Sequence, residues 1–432
     1  MIRNKRLPRG GRLALLTASA VVGLSAAALA AGFFTNGLPQ AGQSPYTFTI
    51  PLTGAELIPA DTQLPGGMSP QSEAISTLQL ANYAASIGAN GPNALVNGDM
   101  SQWQRGTSTS GDIANVLTYW ADRWANLGGA SSAINVSRQA STQAGFTYAL
   151  RFARKAANAD TAAICTAQVL ESADSVRFQG QKAEFTLYAK AGATFSAASS
   201  IATVTIATGT GTDGTTANFL AGSWTGYAAA ISQPITLTTT MQRFALQTTI
   251  PATAVQIGVK ICYTPVGTAG ATDHLEFTGA QLAVNPGATS GYYGLASGTM
   301  PLAFGYRPFS TELRMAQRYY WNITEPAATV MVGASGQGAT TTTCQIAIAN
   351  PVSMRVAPTL AFSGTALTTT TWTVTHVATA TALATPFLAV LGANTVDQIN
   401  MTATVASGLT VGQTCVLTGA GGGSILGATA DL

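Results

Sequence analysis

From Ala94 to about Gly305 apolar and polar positions alternate in short runs, and Gly, Pro, Asn and Asp punctuate them. Ile134-Asn135-Val136-Ser137, Ala183-Glu184-Phe185-Thr186-Leu187-Tyr188, Ile201–Ile206, Phe244-Ala245-Leu246 and Val255–Val259 all have the period of a strand. Regular strands with turn signals between them predict a β-sandwich. A helical run follows at Ser310–Tyr320, with Leu313 and Ala316 or Gln317 facing inward. Alternation then resumes in Thr343–Ile348, Pro351–Leu360 and Trp372–Thr375, which predicts a second β module.

The amino-terminal part has a different texture. Met1–Arg12 is basic, Leu13–Phe34 carries no charge, and Ala28-Leu29-Ala30 offers a small-x-small cleavage pattern. That grammar fits a secretory signal peptide, a retained assembly or anchor helix, or a mildly apolar membrane span. Pro39–Pro45 reads as a linker and Tyr46–Ile50 as a strand. Pro51–Gly67 reads as loops. Ser69 before Pro70 predicts an N-cap and a short helix to about Ser86, with Ile75 and Leu78 at helical spacing.

Length and composition narrow the class. A chain of 432 residues exceeds one ordinary core. Apolar residues make up 47%, which argues against disorder. The net charge of +3 misleads, because Arg3, Lys5, Arg6, Arg9 and Arg12 supply five positive charges at the start. Without them 15 basic residues face 17 acidic ones, and no basic stripe remains for nucleic acid. From Tyr319 onward the charged side chains are Glu325, Arg355, Asp397 and Asp431 alone. A free domain usually shows charge at roughly a quarter of its surface positions or more, so this segment is expected to be covered by copies of itself. Cys165, Cys262, Cys344 and Cys415 lack C-x-x-C spacing, which excludes an ordinary zinc site. Two fall in each β module, so Cys165–Cys262 with Cys344–Cys415 leads among the possible pairings. Four buried thiols acting as small hydrophobes is the plainer reading.

Two separated phrases are the most specific feature. The first is Leu95-Val96-Asn97-Gly98-Asp99-Met100-Ser101-Gln102-Trp103-Gln104-Arg105-Gly106 with Tyr119-Trp120-Ala121-Asp122-Arg123-Trp124. The second is Phe277-Thr278-Gly279-Ala280-Gln281-Leu282 with Arg307–Leu313 and Gln317-Arg318-Tyr319-Tyr320. In this order they resemble the bookends of a domain in tailed-bacteriophage fibre and appendage proteins, a jelly roll similar to carbohydrate-binding modules. Pro51–Ile58 with Gln79–Tyr83 resembles a module of such proteins that serves attachment and trimerisation. Pro351–Thr359 and Asp431-Leu432 also match the pattern.

The resemblance implies an all-β chain of tandem β-sandwiches. Residues 1–40 form the signal-like or anchor segment and 41–92 an attachment and trimerisation module containing a short helix. Residues 93–306 form the jelly roll, and 307–432 a helix with a smaller C-terminal β-sandwich. The implied role is a homotrimeric virion protein of the tail fibre or spike type. It is expected to bind a host-surface glycan during adsorption without cleaving it, and to contact other virion proteins through its N-terminal segment. A capsid decoration or head-fibre protein without a receptor is one alternative. A secreted bacterial carbohydrate-binding protein is the other.

Candidate chemistry is sparse. Gly209–Gly214 matches G-x-G-x-x-G, but no helical period follows to take a pyrophosphate, so a loop is expected. His274 and His376 sit in no nucleophile motif, and no G-x-S-x-G occurs. Asp99, Asp112 and Asp122 are close in sequence, yet Asp122-Arg123 reads as a structural ion pair rather than half of a hydrolytic carboxylate pair. No enzyme, cofactor or metal is expected. Trp103, Trp120 and Trp124 read as core. The candidates for sugar contact are Trp224 and Tyr227, in a Gly-flanked segment, and Trp372 in the second module.

Overall fold

A computed structural model describes residues 57–62, 71–76, 93–109, 114–129, 134–285, 291–293, 302–324, 331–362, 372–376, 379–382, 394–419 and 425–432. The chain divides into two units, Met1–Gly91 and Pro92–Leu432. In the first, β1 (Leu57–Thr62) pairs antiparallel with β2 (Gln71–Ser76), Ile58 opposite Ile75. The helix expected from Ser69 is therefore a strand over Gln71–Ser76. Gln, Glu and Ala favour a helix locally, but propensity is a small bias, and a partner strand that satisfies the backbone overrides it. Strand β1 likewise replaces part of an expected loop. Residues 46–50 and 77–86 lie outside the described residues.

The second unit opens with a sandwich of two six-stranded antiparallel sheets. One has the order β10 (Ala228–Thr236), β9 (Ile201–Gly209), β12 (Gln256–Tyr263), β7 (Ile164–Val169), β4 (Ala125–Leu127), β3 (Thr118–Tyr119). The other runs β14 (Gly291–Tyr293), β11 (Gln242–Thr249), β8 (Lys182–Ala191), β13 (His274–Val284), β6 (Tyr148–Arg154), β5 (Ile134–Ala140). From β6 to β9 and from β10 to β13 successive strands alternate between the sheets, as in a jelly roll, whereas β3 and β4, β5 and β6, β9 and β10, and β13 and β14 each share a sheet. Between them lies a core that includes Trp124, Phe152, Phe185, Val204, Ile206, Ile257, Val259 and Phe277. Each such side chain contributes roughly 1.5–3 kcal/mol by leaving water. Trp124 is fully buried and Trp103 nearly so, while Trp120 is half-buried.

Helix α3 (Phe309–Gln317), preceded by α1 (Ser172–Ser175) and α2 (Thr216–Leu220), leads into the C-terminal module. That module packs a three-stranded sheet, β15 (Tyr320–Thr324), β23 (Ile425–Thr429), β18 (Thr359–Phe362), against a six-stranded one. The larger sheet runs β20 (Thr379–Ala382), β19 (Trp372–His376), β22 (Thr414–Gly419), β16 (Met331–Gly338), β17 (Thr343–Ala349), β21 (Gln398–Thr404). Cys344, Ile346 and Ile348 point inward from β17 between exposed Gln345, Ala347 and Ala349, as strict alternation requires. Of Pro351–Leu360, only the last two residues are strand.

All four cysteines are paired, and the free-thiol reading gives way. Cys165 and Cys262 face each other on neighbouring strands, and Cys344–Cys415 joins β17 to β22. Closing loops of 97 and 71 residues restricts the unfolded chain by roughly 4–5 kcal/mol each in the chain-entropy account.

The two bookend phrases lie side by side. Asn93 Nδ2 donates to Ala280 O at 3.0 Å across 187 positions, and its Oδ1 accepts from Leu282 N and Leu95 N. Ala280 N donates to Gly98 O at 2.9 Å. Asn97, in the left-handed region at φ 58°, uses its side-chain amide to reach Gln102 O and Asp122 O. The expected Asp122–Arg123 pair is not formed. Asp122 accepts from Gln104 and lies 3.9 Å from Arg105, whereas Arg123 donates to Val169 O and stacks 3.6 Å from the Tyr319 ring centre. Both side chains are buried, and the backbone turn sends them in different directions.

Gly98 makes the close approach possible: a Cβ there would lie 2.1 Å from Ala280 O. Gly98→Ala is expected to cost about 1–3 kcal/mol, read as a lower urea midpoint; an unchanged midpoint would contradict this packing. Burial raises the Asp122 pKa to about 6, with Arg105 and Gln104 opposing. A raised pKa adds stability that is full below 3.8 and lost as pH climbs through 6. The melting temperature of wild type minus that of Asp122→Asn should therefore fall between pH 4 and pH 6. A flat difference would refute the shift.

Candidate functional site

The two outer faces of the sandwich differ. Over β7, β9 and β12 the face is closed by Phe219, Trp224, Tyr319 and Leu432, which pack on Ala167, Val169 and Ala207. Contrary to the loop reading, α2 does begin after Gly214, capped by Thr215. Its first amide, Thr216 N, donates to Leu432 O at 3.1 Å, so the chain itself occupies that helix end.

This closure decides the sequence candidates. Trp224 is 5% exposed, stacked 4.7 Å from Phe219, with Nε1 donating to Thr215 O. Trp372 is fully buried in the core of the C-terminal module. Neither presents an open ring face. Tyr227 is half-buried against Phe219 and Lys260 on the closed side of the sandwich. The three are not brought together. Asp112 lies outside the described residues.

The opposite face is built differently. Ala183, Phe185, Leu187 and Ala189 of β8 enter the core, so Glu184, Thr186, Tyr188 and Lys190 point away from it. Register aligns them in rows. Ser137, Arg151, Glu276 and Lys190 run across β5, β6, β13 and β8. The next row is Gln139, Ala149, Thr278, Tyr188 and then Arg243 of β11. Asn135, Ala153 and His274 form the row on the other side.

A strap, Leu302–Tyr306, covers one end. Leu302 N donates to Glu184 Oε1, Arg243 donates to Leu302 O, Gln281 clasps Ala303 and Gly305, and Tyr306 OH donates to Gly145 O. At its edge Phe146, Tyr188, Phe304 and Tyr306 form one aromatic cluster, with ring centres 4.8–5.6 Å apart. Tyr306 is 55% exposed and shows its ring to solvent. The cluster depends on Gly279. That residue sits in the β13 bulge at φ 61°, and a Cβ there would meet the Phe146 and Tyr188 rings at 2.7 and 2.8 Å.

Charge on this face is layered. Glu276 is 1% exposed, and Arg151 binds its Oε2 through Nε and Nη2. Lys190 Nζ is 3.1 Å from Oε1, and His274 Nε2 is 3.7 Å from Oε2. Desolvation, then Arg151, lowers the His274 pKa. Burial raises that of Asp99, which acts electrostatically on Tyr306. Among the described residues no group of metal-ligating side chains occurs, and no helix is long and apolar enough to cross a membrane.

A second feature is a cavity of about 70 Å³ lined by Val96, Arg123, Gln168, Asp174, Met315 and Arg318. Arg123 lines it, and its buried Nε and Nη1 have no hydrogen-bond partner among the described residues. Its volume suits ordered water.

No protein-family model matches the chain, and no curated protein matches it in sequence. Among solved structures, a CBM4 is 17% identical, with 44% of this chain and 97% of that one aligned at a TM-score of 0.27. The C-terminal family 22 carbohydrate binding module of Clostridium thermocellum Xyn10B is 18% identical over 41% and 99%, at 0.25. The enzymatically active domain of bacteriophage CBA120 tailspike protein 4 is 11% identical over 46% of this chain and 23% of that one, at 0.27. Likeness this distant carries no functional conclusion, and the site rests on its own geometry.

Sequence reasoning missed Tyr188 and Tyr306. Alternation along β8 already set Tyr188 with Glu184 on the face away from Phe185, but nothing in the sequence showed which sheet face stays open. Trp224→Ala is expected to cost about 3–5 kcal/mol in a denaturant titration, whereas Tyr306→Ala should change stability little. The reverse ranking would overturn the assignment of closed and open faces.

Proposed function

We propose that this protein is a non-cleaving glycan-binding appendage of a bacteriophage virion, of the tail fibre or spike type, acting during host adsorption. The observation that carries the binding role is the open sheet face. It sets a solvent-facing aromatic cluster beside rows of Arg, Lys, Glu, Asn and Ser. A pyranose ring has an apolar face that stacks on an aromatic ring, and hydroxyls around its edge that pair with such polar groups. The bookend phrases support the appendage role by resemblance.

A homotrimer accounts for the C-terminal module. Its larger sheet turns Gln345, Ala347, Ala349, Thr373, Thr375, Asn400, Thr402 and Thr404 away from the core, with no charge among them. The charges described in the module are engaged elsewhere: Arg355 on the carbonyls of Ala430 and Asp431, Asp431 on Arg105, and Asp397 on Ser353. Association would cover this face and bring several weak sugar sites to one surface, where avidity multiplies them. The N-terminal segment would hold the trimer to other virion proteins.

Two disulfides favour a second reading, a secreted bacterial carbohydrate-binding protein, because such bonds persist in oxidising compartments. A mature chain starting near Ala31 supports secretion, and an intact Met1 supports virion assembly.

For the full chain, Tyr188→Ala and Tyr306→Ala should each weaken host-cell binding about tenfold while a folded trimer persists in sedimentation. Incubation with host polysaccharide should release no new reducing ends. Unchanged cell binding by both variants would overturn the site. A stable monomer would overturn the trimer, and steady release of reducing ends would overturn non-cleaving binding.

A further inference from the structure

Building on the glycan-binding reading above, we propose that the open face selects a sugar bearing a carboxylate, and that Arg151 is the specificity-determining residue. Vertical ordering of charge is the first reason. The two carboxylates within the strand rows are at the floor of the face, Glu276 and Glu184 each being 1% exposed, while the partly buried Asp99 lies towards Tyr306 at the strap end. Glu184 is occupied by Gln247, Asn285 and Leu302 N under the strap. The cations stand above them: the Arg151 side chain is 31% exposed and that of Lys190 16%. One buried carboxylate thus holds two cations, and the row carries a net positive charge towards solvent. Desolvation, then Arg151, biases His274 towards its uncharged form, with Glu276 opposing. This positive field is local, since the chain beyond residue 12 is slightly acidic.

Preorganisation is the second reason. Glu276 fixes the guanidinium through Nε and Nη2, and Nη1 has no hydrogen-bond partner among the described residues. A planar guanidinium held in this way meets an incoming carboxylate with little further loss of side-chain freedom. Its neighbours leave room for one. Ala149 and Ala153 flank Arg151 along β6, and Ser137 lies opposite it on β5. Each of these side chains is too short to cover the guanidinium.

Spacing is the third reason. Lys190 and Tyr188 are two residues apart on β8, about 7 Å along the strand, which is on the order of one monosaccharide. A sugar lying over the tyrosine row would therefore place a ring substituent over the Arg151–Lys190 row. A neutral sugar could use the aromatic cluster but would leave the excess positive charge of the row unbalanced.

Affinity electrophoresis of the full chain tests this in three gels. The first contains polygalacturonate, the second the same polymer with its carboxylates reduced to alcohols, and the third a phosphomannan. Expected are retardation by polygalacturonate at least tenfold stronger than by the reduced polymer, and weaker retardation by phosphomannan. Arg151→Gln should lose most of the polygalacturonate effect. Arg151→Lys, which keeps the charge without the planar fork, should recover only part of it. If Arg151→Gln fails to fold, Lys190→Gln serves instead, with an expected loss of threefold or more. Equal retardation by the charged and reduced polymers would overturn the anionic assignment and leave glycan binding standing. Stronger retardation by phosphomannan would overturn the carboxylate. No retardation in any gel, while cell binding still depends on Tyr306, would overturn the acidic-sugar proposal alone; loss of that dependence as well would remove the glycan reading beneath it.

Discussion

The carboxylate of Glu312 ties the second unit together. It is 4% exposed, and an unpaired carboxylate so deep would cost several kcal/mol. Its oxygens accept from Asn97 N and from Nε and Nη2 of Arg307. Arg307 in turn reaches Asn93 O and Leu95 O. Both groups are satisfied only when the start of the sandwich and the segment entering α3 have come together, and the Asn93 side chain carries that link on to β13 through Ala280 and Leu282. The node thus makes two distant stretches of chain fold as one, since leaving either out would leave a buried charge short of partners.

From that node the two β modules are coupled. Helix α3 delivers Arg318 and Tyr319 to Glu171, whose pKa burial raises but whose hydrogen bonds from both residues lower it more. Arg105 stacks 3.6 Å from the Tyr320 ring centre and pairs with Asp431. Tyr119 OH donates to Leu432 O at 2.8 Å. Asp431 is spent on this docking, and Arg355 and Asp397 on groups within the module, which leaves its outer sheet neutral.

The same docking creates the asymmetry on which the candidate site depends. Tyr319 and Leu432 complete the lid over β7 and β9, turning that side of the sandwich into a small second core. Among the described residues the other side carries only the strap, which ends in an aromatic cluster and stops short of the Arg151 row. An exposed, rigid, mixed polar and aromatic surface persists there because the buried Glu276 anchors its cations from below.

The sequence by itself determined many of the element types in the second unit, since alternation has one solution when a strand buries one face, but not α2 or the irregular stretch before β18. Strands β5, β8, β9, β11, β12, β17 and β19 lie where period two places them, and α3 where period 3.6 does. It also pointed to the bookends as framework, through residues such as Asn97 and Trp124 that are now seen buried. Tertiary structure decided what local pattern does not encode. Gln71–Ser76 became a strand because a partner was in reach. Trp224 lost its loop character because residues from the far end of the chain closed over it. Asp122 and Arg123, adjacent in sequence, found different partners because the turn between them splays their side chains. Tyr188, Tyr306 and Arg151 became one surface only through register across four strands and the path of the strap. Periodicity fixes which face of a strand a residue occupies; which face then meets water depends on contacts made hundreds of positions away.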